Sequence, residues 1–368
     1  MGFSLLLIVG AVDSLAASAR VESIWRMVPV YAERARSRGV GIAMNILVTG
    51  GNRYIGLDLV FELARRGHQV TVINSHTAPL PEGAARIHAD RRVPGAFEAA
   101  LGPRRDDFDV VFDNTAFVPA DVLPMVELFR GRVKHYVFTS SQAVYKRSFL
   151  QPIREDFRRH AADDDDPRKA YGVGKVRCED LLMAEWAQSG FPATSLRVGH
   201  TMGPRSPQAT RDPAFFARLE AGRPILIPGE GFAVLQLVHI NDVARCMASL
   251  VGNARAPGEI YNVSGAEVAS VIGVVALIGR ALGLQPEIVK VPMERARQQR
   301  PPLLHWGEAT TGSAMMSIDK ALQHLDWTPR FGIESGYRDA YAWWQAEGRG
   351  RYEFDFAAED ALLAELGH

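Results

Sequence analysis

One stretch of the chain limits its fold more than any other. Met44-Asn45-Ile46-Leu47-Val48-Thr49-Gly50 reads as a short apolar strand, and Thr49-Gly50-Gly51-Asn52-Arg53-Tyr54-Ile55-Gly56 overlaps its end. Leu57 to Arg66 then shows helical spacing, with Leu59, Val60 and Leu63 on one face and Gly67 as a natural stop. A strand that turns this sharply into a helix aims the helix's first N–H groups at the space beyond the strand's carboxyl end, which suits an anion such as a pyrophosphate. Gly50 is expected to make the turn, Gly51 to let the backbone approach the ligand, and Gly56 to let the helix pack on the strand. The strand before and the helix after carry the weight, since a lone glycine cluster is a weak signal.

The same alternation continues. Gln69–Ile73, Arg86–Ala89, Val110–Phe112, Tyr136–Phe138 and Thr194–Val198 are short β-branched or aromatic runs separated by helical patterns. Runs this apolar suit strands covered on both faces, so the spacing predicts βαβ units and a parallel sheet. The expected fold is α/β, a doubly wound parallel sheet of Rossmann type with a smaller C-terminal lobe. Pro204, Pro207, Pro213, Pro224 and Pro228 loosen the pattern after residue 203. The expected division is therefore a dinucleotide-binding domain over 44–203, with 232–267 returning to it through strands at Val234–Ile240 and Glu259–Val263. Residues 204–231 and 268–345 form the lobe, and 346–368 a C-terminal tail. Residues 1–43 read as a dispensable extension or an over-long start. Their short apolar run lacks the positive n-region of a secretory signal.

Beyond the loop, Asn74 ends the second strand, where NAD-specific folds carry an acid that grips the ribose 2′-hydroxyl. Asn can bond that hydroxyl without repelling a 2′-phosphate, and Arg53 could help to hold one, so NAD and NADP both stay open. Asn52, Tyr54 and Ile55 complete the expected cofactor loop. Asp90, after the third strand, is placed either to touch the adenine or to act as an ordinary loop residue. Tyr171-Gly172-Val173-Gly174-Lys175 sets a phenol and an ammonium at i and i+4 on one helical face. A nearby cation favours the phenolate, so Tyr171 is expected to exchange a proton with an alcohol or carbonyl. Lys175 tunes it and also reaches the nicotinamide ribose. Ser141, at the end of the fifth strand, is expected to orient the reacting oxygen. Asp163–Asp166 reads as a solvated loop rather than a metal site.

These motifs resemble those of the extended short-chain dehydrogenase/reductases, the NAD-dependent epimerase/dehydratase family. The resemblance rests on residues 49–56, Ser140-Ser141-Gln142-Ala143-Val144-Tyr145, Tyr171 with Lys175, Arg197 with Gly203-Pro204-Arg205, Val238-His239-Ile240-Asn241-Asp242-Val243-Ala244, and Asp326-Trp327-Thr328-Pro329-Arg330. It implies that Ser141, Tyr171 and Lys175 work with NAD(P), and that the lobe holds the substrate. His239 and Asp242 read as strand-end and helix-cap residues. Arg53 in place of a central glycine, Asp113-Asn114-Thr115-Ala116 and Tyr352-Glu353-Phe354-Asp355-Phe356 are similar to an atypical branch that includes the chloroplast stem-loop RNA-binding proteins. A homodimer through a helix pair is a further expectation from the resemblance.

The leading expectation is an NAD(P)-dependent oxidoreductase or epimerase acting on a carbonyl or hydroxyl carbon of a small molecule, a nucleotide sugar or a secondary metabolite. Dehydration is less favoured, because Gln142 and Ala143 stand where an acidic pair is needed. The alternative is an RNA-binding or dinucleotide-sensing protein that keeps the fold without turnover. Lys+Arg and Asp+Glu both count 42, giving a formal net charge of zero. That gives no general support for polyanion binding, and no nucleic-acid partner is expected. Two separated cysteines fit a reducing, cytoplasmic setting, and no apolar run is long enough for a membrane span.

Overall fold

The structure is a computed structural model that describes residues 42–299, 303–304, 306 and 315–368. The expectations for 1–43 fall, apart from the last two positions, outside the described residues. The strands are β1 (Asn45–Thr49), β2 (Gln69–Asn74), β3 (Ala85–His88), β4 (Val110–Asp113), β5 (His135–Ser141), β6 (Ala193–Val198), β7 (His200–Met202), β8 (Ile225–Pro228), β9 (Val234–His239), β10 (Ile260–Val263), β11 (Val268–Ser270) and β12 (Ile288–Val291). The helices used below are α1 (Tyr54–Arg65), α2 (Pro119–Phe129), α3 (Ala170–Ser189), α4 (Asp212–Glu220), α5 (Ile240–Ala248), α6 (Val271–Leu282), α7 (Ile333–Trp343) and α8 (Ala357–Glu365).

Seven strands form one sheet in the order β10-β6-β5-β4-β1-β2-β3, and every neighbouring pair is parallel. The chain lays β2 and β3 to one side of β1, then returns to the other side for β4, β5, β6 and β10. The order reverses between β1 and β4, and a reversal of this kind opens a crevice beyond the carboxyl ends of the strands. Successive strand residues face opposite sides. Ile46, Val48, Val110 and Phe112 pack with Leu59, Val60 and Leu63 of α1 and with Val243 and Met247 of α5. Leu47, Val111, Tyr136 and Phe138 pack with Val122, Met125 and Phe129 of α2 and with Cys178 and Leu182 of α3. Both sides are covered, which is why these strands read as unbroken apolar runs. No described helix is long and apolar enough to cross a membrane.

The expectation that both later strands rejoin this sheet needs correction. β10 does so, pairing with β6. β9 instead lies between β7 and β11 in a separate three-stranded sheet. β7 follows β6 after one residue, Gly199, leaves the main sheet, and pairs His200 with Leu237 and Met202 with His239. An apolar run specifies burial, not the neighbour that buries it. The lobe core gathers Phe215 and Phe216 of α4, Val274, Val275 and Ile278 of α6, and Tyr337 and Ala340 of α7. The segment read as a tail also packs: Leu362 of α8 is buried with Leu226 and Val291, and Arg223 lies over the Phe356 ring at 4.5 Å.

His239 caps α5 at the end of β9 as expected, whereas Asp242 lies inside α5 and tethers the backbone at 330–331. His239 Nδ1 accepts from Asn241 N at 3.2 Å. Asp242 Oδ2 accepts from the backbone N–H groups of Arg330 at 2.9 Å and Phe331 at 3.0 Å. Asp164 and Asp166 take up local partners, with Asp166 Oδ1 accepting from Arg168 N at 3.0 Å.

A buried ion pair joins α3 to β6. Arg197 donates to Glu179 through Nη2 at 2.7 Å and Nε at 3.0 Å, and to Tyr145 Oη and the Glu155 carbonyl at 2.8 Å each. Burial raises the Glu179 pKa, but the Arg197 bond and charge outweigh it and hold the carboxyl below its ordinary 4.5. Glu179→Gln is expected to cost about 3–5 kcal/mol of stability, because it leaves the guanidinium buried without its counter-charge. Urea denaturation at pH 7 reads this loss. In the unchanged protein the contribution is complete above pH 4.5 and is lost as pH falls through the lowered folded value.

Candidate active site

The glycine loop runs from β1 into α1 at the reversal point. Gly50 takes φ +68, and its N–H donates to Ile73 O at 3.2 Å, which sets the loop beside the end of β2. A Cβ on Gly50 would stand 2.4 Å from Thr115 Cγ2, and one on Gly56 would stand 2.2 Å from Gly50 O. Gly56 thus lets the first turn of α1 close on the loop. Gly51 differs from its expected role. A Cβ there would meet Val72 Cγ2 at 2.7 Å and Val60 Cγ2 at 2.9 Å, so its bareness serves packing of loop against core. Arg53 is exposed at the N-cap of α1. Ile55 follows in the first turn, partly buried against the core that covers one side of the main sheet. Tyr54 adopts φ +47, a left-handed conformation that costs a residue with a Cβ about 1 kcal/mol or more. Its buried ring turns toward the lobe, under the guanidinium of Arg211 at 5.5 Å.

Three amides near this loop have buried donors with no partner: Asn52 Nδ2, Asn74 Nδ2 and Asn114 Nδ2. Two of them are oriented by their own oxygens. Asn74 Oδ1 accepts from His76 N at 3.1 Å, and Asn114 Oδ1 accepts from Thr139 Oγ1 at 2.7 Å. Buried donors are normally satisfied, so these groups fit a ligand rich in acceptor oxygens, as a dinucleotide is. Asn114 was not among the residues expected from the sequence. Its position just past β4, at the carboxyl edge beside the loop, is the signal that could have found it. Arg91 was also missed. It binds Asp113 through Nη1 at 2.7 Å and Nη2 at 2.8 Å. Asp90 beside it bonds Arg92 N and Nε at 3.0 Å each, and these bonds lower its pKa to about 2.

The residues expected to carry the acid–base chemistry lie at the same edge. Ser141 is the last residue of β5, and its Oγ accepts from Ala143 N at 3.2 Å. Tyr171, in the first turn of α3, is 50% exposed. Lys175, one turn along α3, is only 2% exposed. Two glycines let α3 begin this close to the edge: a Cβ on Gly172 would lie 2.1 Å from Ala143 O, and one on Gly174 would lie 2.5 Å from Phe117 O.

Lys175 Nζ donates to the carbonyls of Ala116 at 2.6 Å and Thr139 at 2.7 Å, and sits 4.8 Å and 4.7 Å from the Phe117 and Phe138 ring centres. Burial pushes its pKa down to about 8, partly offset by Asp113. Burial raises the Tyr171 pKa above its ordinary 10.0, while the Ser141 bond and the Arg211 charge pull it down. Lys175 is engaged with two carbonyls, its Nζ lies 5.8 Å from the Tyr171 ring centre, and the Arg211 charge, which the sequence reading did not single out, also lowers the Tyr171 pKa.

The sequence profile of the NAD dependent epimerase/dehydratase family matches residues 46–264. The chain is 29% identical over 340 residues to the chloroplast stem-loop binding protein of 41 kDa b of Arabidopsis thaliana, covering 87% of this chain and 84% of that protein. It is 27% identical over 261 residues to the 2′-dehydrokanamycin reductase of Streptomyces kanamyceticus, covering 70% and 72%. In fold it is similar to the UDP-glucose 4-epimerase of Thermotoga maritima solved with UDP-glucose, with a TM-score of 0.67 and 21% identity over 82% of this chain and 99% of that one. The α/β fold and the resemblance expected from the sequence both stand, and the chain belongs to the NAD dependent epimerase/dehydratase family.

Proposed function

We propose that the protein is an NAD(P)-dependent oxidoreductase or epimerase that acts on a carbonyl or hydroxyl carbon of a small molecule. The observation that carries this reading is Ser141, Tyr171 and Lys175 standing together at the sheet's carboxyl edge, beside a glycine loop at the strand-order reversal. Asn52, Asn74 and Asn114 supply donors for the dinucleotide. A nicotinamide held there would supply the hydride acceptor or donor.

Tyr171 moves the proton. Its raised pKa keeps it a phenol at neutral pH, the form that donates to a carbonyl oxygen during reduction. In the reverse direction it takes the alcohol proton, helped by the nearby guanidinium charge. Ser141 Oγ orients the substrate oxygen toward the phenol. Lys175, an ammonium below about pH 8, offers its remaining N–H to the nicotinamide ribose.

Two kinds of substrate suit this reading. The likeness to 2′-dehydrokanamycin reductase favours a secondary-metabolite ketone, and the fold shared with UDP-glucose 4-epimerase fits a nucleotide sugar. The buried, free cysteines Cys178 and Cys246 suit a reducing, cytoplasmic setting. The likeness to a stem-loop binding protein is the reason to test RNA binding as a second reading. Salt-dependent retention of a stem-loop RNA at physiological ionic strength would support it.

Tyr171→Phe is expected to lower turnover of UDP-galactose or 2′-dehydrokanamycin, whichever the wild type converts, by about 10²–10⁴-fold. Nicotinamide fluorescence should show NAD(P)H affinity unchanged within a few-fold, and full turnover in this variant would refute the proton-transfer role. Asn74→Asp should weaken NADPH relative to NADH by about tenfold or more, since a carboxylate there repels a 2′-phosphate; equal NADPH affinity in both proteins would move the adenosine pocket elsewhere. NADH affinity should also fall as pH rises through about 8, where Lys175 loses its proton, and Lys175→Met should flatten that dependence.

A further inference from the structure

The run Tyr352-Glu353-Phe354-Asp355-Phe356 takes no part in the site above, yet it is firmly held. Leu362 of α8, beyond it, is buried with Leu226 and Val291. Glu359 pairs with Arg218 of α4, and Asp360 pairs with Arg223. Both guanidinium groups lie over the Phe356 ring, at 5.2 Å and 4.5 Å. From that anchor a row of rings runs back along the chain. Phe356 stacks with Phe354 at 5.9 Å, and Tyr352 stacks with Trp344 at 6.1 Å. These contacts fix the Tyr352 ring, and its Oη donates to the carbonyl of the buried Ser206 at 2.6 Å.

Ser206 belongs to residues 203–211, the loop between β7 and α4. On the lobe side, Gly203 N donates to Asp212 Oδ2 at 3.1 Å. On the other side, Arg205 forms an ion pair with Asp58 of α1, and Arg211 lies over the Tyr54 ring at 5.5 Å. These side chains lay the loop against the strand–turn–helix start that would hold a dinucleotide's phosphates. Arg205 itself takes φ +59, a left-handed conformation unfavourable for a residue with a Cβ. Two pins keep it there: Asp58 grips its side chain, and Tyr352 holds the carbonyl of the next residue. A strained residue of this kind persists only while its surroundings hold it, so loss of either pin lets the loop relax. Resting on the dinucleotide binding proposed above, we infer that 203–211 is a gate on the cofactor crevice and that the C-terminal segment is its latch. Tyr352, acting through Ser206, is a positioning residue that sets how fast NAD(P)H enters and leaves. Both latch contacts join protein to protein. Breaking one therefore speeds entry and exit alike and leaves the binding equilibrium where it was.

The test is stopped-flow nicotinamide fluorescence on the full chain, with NADH and NADPH as probes, in the wild type, Tyr352→Phe and Asp58→Asn. Tyr352→Phe keeps the stacked ring and removes only the donor. Each variant should raise the association and the dissociation rate constants together, by about 3–10-fold, the effect of one lost hydrogen bond. Kd should stay within about twofold, because the gate acts equally on both directions. Melting temperatures confirm folding, and Asp58→Asn carries the test alone if Tyr352→Phe does not fold. Unchanged or slower rates in either folded variant would overturn the inference. Faster release with unchanged entry, and so a matching loss of affinity, would also overturn it, by making the tail a support for the pocket's shape instead of a latch. A wild type that binds neither NADH nor NADPH would instead sink the proposed function on which the gate rests.

Discussion

The crevice depends on a single carboxylate, that of Asp113. It is wholly buried at the end of β4, where the sheet order reverses. Arg91 grips both of its oxygens, Tyr136 Oη donates to it at 2.6 Å, and Thr49 Oγ1 donates at 2.9 Å. Thr49 Oγ1 in turn accepts from Asn114 N at 3.0 Å. These bonds join the last residue of β1 to the turn after β4, and so hold the floor on which the glycine loop rests. Burial alone would raise the carboxyl's pKa. The Arg91 charge and bond, with Tyr136 and Thr49, overcome this and keep it ionised. A carboxylate without such partners would be driven to protonate in so apolar a place.

Above this floor, close approach of backbones counts for more than any single charge. Gly50, Gly56, Gly172 and Gly174 each stand where a Cβ would collide with a neighbouring segment. They let the loop, the first turn of α1 and the start of α3 converge on one edge. The strain at Tyr54 belongs to the same compromise. A non-glycine residue is held in the left-handed region so that an aromatic ring can face the lobe. Lys175 shows which interaction wins when several compete. Two carbonyl acceptors and two aromatic faces hold the ammonium in place, and burial still lowers its pKa.

Much of the fold was legible because both sides of the sheet are covered. The six runs from Ile46 to Val198 each became a strand of the main sheet, with ends shifted by up to three residues. Tyr171 and Lys175 were legible from their helical spacing, and Ser141 from its place at a strand end. Other features had no linear signature. Val234–His239 reads as a buried strand wherever it pairs, and it joined β7 and β11. The Gly51 contact depends on Val60 and Val72, which come from a helix and a second strand. Asn114 became an oriented donor only through Thr139, on a strand distant in sequence.

By itself, the chain's order of residues determined the strand–loop–helix start, the alternation that demands a parallel sheet, and the one-turn spacing of phenol and ammonium. These follow from local geometry, where neighbours along the chain decide which way side chains point. Tertiary structure alone decided which arginines find carboxylates and which amide donors are left over. Charge and hydrogen bonding act across space, between groups as far apart in sequence as Tyr54 and Arg211, and their balance is set once packing has removed the water between them.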